Sequence, residues 1–254
     1  PFFGLLVNAL EFEAARRGYK ILLANSRHDE EKELAYLDML KRNKVDGIIL
    51  ASRTTEIKPF LNANLPLLSF DRELSPDIPM VSADNFEGGR LIARHLIARG
   101  CRNLLYISGS STVRQYSNQR GSGFLEVCEA SGRHFAVYET EEASFNSQQY
   151  ESSIAKALDA NPQVDGIFAS SDVIAAQVVR QLAARGKRVP DDIRVAGFDD
   201  VQIASLLQPA LTTVHQPIEA MAIQMLEILE RKMNGVPTPT RTILPVELVI
   251  REST

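Results

Sequence analysis

The sequence predicts an α/β protein built on parallel sheets with crossover helices, and three observations point there. Short apolar runs alternate with amphipathic stretches of helical length along the chain, the pattern of buried strands and the helices that cover them. Several amphipathic stretches stop at an Arg-Gly pair, Arg17-Gly18, Arg99-Gly100 and Arg185-Gly186, where a left-handed cap with a cation beside the final carbonyls is favourable. Two segments roughly half the chain apart echo one another: Val45-Asp46-Gly47-Ile48-Ile49-Leu50 and Val164-Asp165-Gly166-Ile167-Phe168-Ala169. Either a turn pair before a buried strand recurs by chance, or the chain holds two similarly built α/β lobes.

Taken in order, the chain opens on a helix, Phe3–Arg17, closed by Gly18, and continues into a strand at Lys20–Ala24. Helix Glu30–Arg42 leads to strand Gly47–Ala51, and strands Leu67–Ser69 and Met80–Ser82 follow. Helix Glu87–Ala98 precedes strand Leu104–Ile107; helix Gln119–Ser131 precedes strand Phe135–Tyr138; helix Ser147–Asp159 precedes strand Gly166–Ala169. Helix Val173–Arg185, strand Arg194–Gly197, strand Leu211–Val214, helix Ile218–Met233 and strand Ile243–Val249 complete the reading. A doubly wound lobe normally opens on the strand at its sheet centre, whereas this chain opens on a helix, so a first strand is expected upstream of Pro1. No Pro/Gly/Ser-rich linker divides the chain, so the backbone is expected to cross between lobes at strand ends near Arg102, Gln216-Pro217 and Thr238–Arg241. That gives one lobe of 1–101 with 217–238 and a second of 102–216 with 239–254.

Composition narrows the function. The 254 residues are 44% hydrophobic and 24% charged, an ordinary globular balance that excludes disorder and collagen-like structure. Against 32 acidic residues stand 28 basic ones, a net charge of −4, so no overall field attracts nucleic-acid phosphates to this chain. No apolar run is long enough to span a bilayer and no export leader is visible, so no membrane partner and a cytoplasmic location are expected. Cys101 and Cys128 have neither metal-ligand nor redox spacing and read as small buried hydrophobes.

Local signals for chemistry are missing. The cluster Gly109-Ser110-Ser111-Thr112 lacks the lysine of a phosphate loop, and Gly121-Ser122-Gly123 lacks a third dinucleotide glycine and reads as packing. Neither GxSxG nor HExxH occurs, and His28, His95, His134 and His215 are scattered without metal spacing. The expectation is a binding protein with no catalytic residue, metal or cofactor.

What remains is a set of polar and aromatic residues at strand carboxyl ends, where open α/β sheets place ligands. Phe2 and Phe3 stand at the first helix, Asp71-Arg72 follows the strand ending in Phe70, Arg120 lies at the start of the helix running through Gly121-Ser122-Gly123-Phe124, Asp199 ends Val195-Ala196-Gly197-Phe198, and Gln216 ends Thr212-Thr213-Val214-His215. One carboxylate accepts from two neighbouring hydroxyls and one guanidinium donates to two oxygens, which is the chemistry of a sugar. Aromatic faces, Phe2, Phe3 and Phe145, suit the C–H surface of its ring.

The ordered series Pro1-Phe2-Phe3, Gly18-Tyr19, Val45-Asp46-Gly47-Ile48-Ile49, Phe70-Asp71-Arg72, Asp84-Asn85-Phe86-Glu87-Gly88-Gly89, Arg120-Gly121-Ser122-Gly123-Phe124, Val189-Pro190-Asp191-Asp192-Ile193, Gly197-Phe198-Asp199-Asp200 and Pro209 through Pro217 resembles the effector-binding core of the lactose-repressor/galactose-repressor family of bacterial transcription regulators. The resemblance covers essentially the whole chain. It implies the fold of type I periplasmic binding proteins: two Rossmann-like doubly wound lobes, three crossovers, and an effector in the cleft. It also implies a homodimer, and operator DNA contacted only through an upstream helix-turn-helix that this chain lacks. The ligand positions it carries over are Phe2, Phe3, Asp71, Arg72, Arg120, Phe145, Ser171, Asp199 and Gln216, with Asp172 as a helix N-cap. Ser171-Asp172 stands where many sugar binders of this fold have Asn-Asp. A sugar is expected as effector in preference to a purine or nucleoside, and a periplasmic sugar-binding protein of a transporter is the rival reading.

Overall fold

The computed structural model describes residues 1–26, 29–51, 65–109, 116–141, 144, 147 and 149–254. In chain order the first elements are α1 (Phe2–Arg16), α2 (Glu30–Arg42), β1 (Ile48–Leu50), β2 (Leu67–Phe70), β3 (Met80–Ala83), α3 (Asn85–Ala98) and β4 (Asn103–Ser108). Then come α4 (Gln119–Ala130), β5 (His134–Glu139), α5 (Glu151–Ala160), β6 (Gly166–Ala169), α6 (Asp172–Ala184) and β7 (Arg194–Ala196). The chain finishes with α7 (Gln202–Leu206), β8 (Thr213–His215), α8 (Ile218–Met233), β9 (Arg241–Leu244) and β10 (Glu247–Val249).

The chain divides into two compact units: unit 1 is Pro1–Ala83 with Pro217–Leu244, and unit 2 is Asp84–Gln216 with Pro245–Thr254. Three crossings are therefore present, but two lie away from the expected places. The first falls at Ala83/Asp84 instead of near Arg102, because α3 packs on α4 and its Ile92, Ala93 and Leu96 enter the unit 2 core. The last falls at Leu244/Pro245. The single strand expected over Ile243–Val249 is two strands, β9 in unit 1 and β10 in unit 2, parted at Pro245, whose missing N–H cannot serve a ladder.

Unit 1 holds an all-parallel sheet of order β1-β2-β3-β9. Leu37 and Leu40 of α2 pack with Ile48, Leu67 and Ile78 on it. The segment Lys20–Ala24, expected as a strand, has no regular structure, and Leu22 and Leu23 are 65% and 70% exposed. A strand exists only as one side of a ladder, and among the described residues none pairs with this segment.

Unit 2 is wound on both faces. Its parallel sheet has order β5-β4-β6-β7, and the antiparallel pair β8-β10 forms a second small sheet. Side chains alternate with period two along β4: Leu105 and Ile107 join α5 and α6 in one apolar cluster, while Leu104 and Tyr106 join α3 and α4 in another. Phe124, Phe168 and Phe198 are fully buried in the second cluster. Cys101 and Cys128 are free and buried there, and burial pushes their thiols up to about 11 and about 12, which leaves them unreactive.

The echoed segments open β1 and β6, one in each unit, after α2 and α5. A Cβ on Gly47 would lie 2.9 Å from Leu229, and one on Gly166 would lie 2.8 Å from Cys101 Sγ and from Leu104. In unit 2 the echo's aspartate also works: the Asp165 carboxylate accepts from the Arg102 and Asn103 amides at 2.9 Å, tying the start of β4 to β6. Both glycines are thus required by packing at a parallel strand entrance.

Candidate functional site

In unit 2 the site is assembled by two helices that touch through glycine. A Cβ on Gly89 of α3 would lie 2.0 Å from the Arg120 carbonyl oxygen, and one on Gly123 of α4 would lie 2.0 Å from that of Phe86. Only glycine allows so close a backbone approach. The crossing brings Arg120 against Asn85 at the start of α3, where Nε donates to Asn85 Oδ1 at 2.7 Å. The neighbouring Gly88 leaves room for the Phe198 ring, which a Cβ there would meet at 2.6 Å. Over that ring the Arg120 guanidinium sits 3.7 Å from the centroid.

The remaining faces of Arg120 are also engaged. Nη1 donates to the Ser170 carbonyl at 2.7 Å, just past β6, and stands 3.4 Å from Asp199 Oδ1. The Gln216 Nε2 donates to the same Asp199 oxygen at 2.7 Å. Asp199 and Asp200 both have positive φ, 109° and 54°, an unusual pair for residues with a Cβ. Asp200 is held by Arg251 Nη2 at 2.6 Å and His215 Nδ1 at 3.0 Å. The strand-end loop is therefore fixed by charge-assisted bonds rather than by local preference.

Beneath the loop, Asp172 has no exposed surface. Burial first, and then the negative charges of Asp199 and Asp200, push its carboxyl up to about 8 against hydrogen bonds from Thr213 and the Val201 amide. The N-cap of α6 is not Asp172 but Ser171, whose hydroxyl oxygen accepts from the Ile174 amide at 3.3 Å. Asp172 is the first helical residue instead.

Unit 1 gathers a different set. Phe2 stacks on Phe70 with centroids 6.1 Å apart and planes at 23°, and Phe3 meets both rings edge-on. Phe3 is half exposed. Asp71, at the end of β2, has a φ of 58° and accepts from the Ser82 hydroxyl at 2.7 Å. Arg72 follows, its pKa lowered by burial despite the opposing charge of Glu33.

Of the residues marked from sequence, Arg120, Asp199 and Gln216 come together in unit 2 through an ion pair and a hydrogen bond that share Asp199, and Phe2, Phe3, Asp71 and Arg72 lie in unit 1. Ser171 is a helix cap, and Phe145 lies outside the described residues. Sequence reasoning missed Asn85, Phe198 and Asp172 as parts of the site. The first two stand inside the motifs Asp84-Asn85-Phe86 and Gly197-Phe198-Asp199, and Phe198 directly precedes the candidate Asp199. Among the described residues no group of acidic, histidine or cysteine side chains could hold a metal ion, and no helix is long and apolar enough to cross a membrane.

Residues 93–254 match the family model of the periplasmic binding protein-like domain. The ribose operon repressor of Halalkalibacterium halodurans is 36% identical over 100% of this chain and 76% of its own length. The sucrose operon repressor of Streptococcus mutans is 34% identical over 99% of this chain and 77% of its own. A periplasmic binding protein/LacI transcriptional regulator of Alkaliphilus metalliredigens, solved in complex with D-xylulofuranose, superposes with a TM-score of 0.89 at 34% identity, covering 100% of this chain and 94% of that one. A chain with two α/β units, three crossings and these relatives belongs to the periplasmic-binding-protein-like family, among the effector-binding domains of LacI-type transcriptional regulators.

Proposed function

We propose that this chain senses a small sugar and, as the effector-binding part of a regulator, changes how an upstream helix-turn-helix holds operator DNA. The observation that carries the reading is the largely buried Arg120–Asp199–Gln216 network, in which a helix guanidinium meets groups at two strand ends, and whose forked donors and acceptors fit a polyhydroxylated molecule. Relatives named as ribose and sucrose operon repressors favour a sugar over a purine or nucleoside, and a cytoplasmic regulator over a transporter component. The proposed ligand groups are Arg120, Asp199 and Gln216 in unit 2 and Phe2, Phe3, Asp71 and Arg72 in unit 1. The function is binding without catalysis.

Regulation requires differential affinity. A sugar held equally by the DNA-competent and incompetent states shifts nothing, whereas a tenfold preference is worth about 1.4 kcal/mol. One charge-assisted hydrogen bond, about 1.5–3 kcal/mol, is enough to supply it. A homodimer is part of the proposal; Leu206, 72% exposed, supports it as apolar surface that a second copy would cover.

A thermal-shift screen against pentoses, hexoses, disaccharides and purines tests the reading, followed by calorimetry of the best sugar on D199A. A sugar that raises the melting temperature and loses its binding heat with D199A is expected. Stabilisation by purines alone, or undiminished sugar affinity in D199A, overturns it.

A further inference from the structure

One carboxyl lies deeper than the rest of the unit 2 site, and all its acceptor atoms are committed. Asp172 Oδ1 accepts from the Thr213 hydroxyl at 2.6 Å, and Oδ2 accepts from the Val201 amide at 2.8 Å. Its own amide donates to the Phe198 carbonyl at 2.8 Å. These bonds take hold of the chain on either side of Asp199-Asp200. They also fix β8, the strand that leads to Gln216. Gly197 makes the space, since a Cβ there would lie 2.4 Å from Asp172 Oδ1.

Asp199 and Gln216 reach their shared hydrogen bond from two different segments, the loop after β7 and the end of β8. Each segment has its own bond to Asp172. The loop, with two consecutive non-glycine residues at positive φ, does not keep its shape by local preference. We infer that Asp172 is the positioning residue of this half-site, a buried clamp that sets where the Asp199 carboxylate and the Gln216 amide meet. Its effect on affinity rests on the sugar-binding reading; its effect on the Asp199–Gln216 bond does not.

The charges are divided to match. Asp199 has the Arg120 guanidinium beside it, and Asp200 has Arg251 and His215. Asp172 is met by two neutral donors, faces the like charges of Asp199 and Asp200, and is pushed up to about 8. Near neutral pH Asp172 is the uncharged clamp, and the guanidinium is left to Asp199. A neutral carboxyl still does this work, because one oxygen accepts from Val201 while the other, carrying the proton, donates to the Thr213 hydroxyl oxygen.

The test compares D172A, D172N and T213V in the free protein and with the best sugar of the screen. The side-chain amide protons of Gln216, followed by NMR in the free protein, report its bond to Asp199 directly. We expect D172A to release those protons to fast exchange and to weaken sugar binding by about tenfold or more. D172N, of the same shape and able to accept from Val201 and donate to Thr213, keeps the Gln216 signal and stays within about threefold in affinity. T213V, which removes one anchor only, falls between and stands in if D172A does not fold. An unchanged Gln216 signal in D172A or T213V overturns the clamp, and so does a D172N variant as damaged as D172A. Loss of the Gln216 signal in a protein that binds no sugar upholds the clamp and removes only the sugar reading.

Discussion

In unit 1 the dipeptide Phe70-Asp71 closes β2, and in unit 2 Phe198-Asp199 follows β7; both aspartates have positive φ, 58° and 109°. Beyond that the two strand ends part company. Phe70 is the floor of an aromatic group whose member Phe3 is 51% exposed, and Asp71 takes a neutral hydroxyl from Ser82. Phe198 is fully buried under a guanidinium, and Asp199 meets Arg120 and Gln216, all within a network also anchored by Asn85. One region offers apolar faces that adapt at little cost; the other offers a charged fork whose geometry is set before anything binds. Orientation settled in advance is what turns hydrogen bonds into specificity.

If that contrast is right, the largest loss comes from unit 2. Asp199→Ala removes the anionic partner of a largely buried guanidinium and the proposed acceptor for sugar hydroxyls, and affinity measured by calorimetry is expected to fall by more than about a hundredfold. A loss under tenfold would mean that the fork is structural. Next is Gly89→Ala. The added methyl would meet backbone atoms at 2.0 and 2.9 Å, and backbone cannot swing aside. The helices must separate, so thermal unfolding should show roughly 2–3 kcal/mol of destabilisation, with Arg120 drawn away from Asn85 and sugar affinity reduced as well. An unshifted melting temperature would show that α3 and α4 do not depend on that contact.

The sequence made the strand-end residues visible because periodicity locates strands and ligands sit at their carboxyl ends. Helices α2 and α8 and strand β6 appear where the pattern put them, since amphipathic spacing and glycine punctuation are local. Lys20–Ala24 failed because pairing is not local, and α7 escaped because five residues between turns carry no period. A boundary near Arg102 misplaces α3 for the same reason, since its packing partner α4 is distant in sequence. The Gly88-Gly89 pair of α3 shows that something comes close, but not that the visitors are Phe198 and α4. Asp172 was legible as a helix start and illegible as a clamp, because Thr213 and Val201 are distant in sequence.

The comparison also predicts a pH effect that originates in unit 2. The Asp172 carboxyl sits at about 8 in the folded protein against 3.8 as its ordinary value, so between those pH values the folded state holds a proton that the unfolded chain has released. The Asp172 contribution to stability therefore falls as pH rises from about 4 to about 8, by at most about 1.4 kcal/mol per pH unit, and is level above that, while His95, whose pKa burial lowers, works the other way below about pH 6.5. Denaturant melts at pH 5, 6.5 and 8 measure the slope. D172N carries no titrating group there and should remove the downward slope; an equal slope in D172N would move its origin to another residue.

The smallest effect belongs to the aromatic group. Phe2→Ala removes the ring that stacks on Phe70 but leaves Phe3, Phe70 and the whole Arg120 network in place. An aromatic face on a sugar contributes through dispersion and apolar area, about 1 kcal/mol, so affinity should drop about fivefold. Because no charge loses its counter-charge, nothing amplifies that loss, whereas in Asp199→Ala the guanidinium keeps Asn85 and Ser170 but loses its anion. The two variants measured with one sugar thus weigh the two regions against each other. A Phe2→Ala loss as large as that of Asp199→Ala would reverse the ranking and place the main recognition in unit 1.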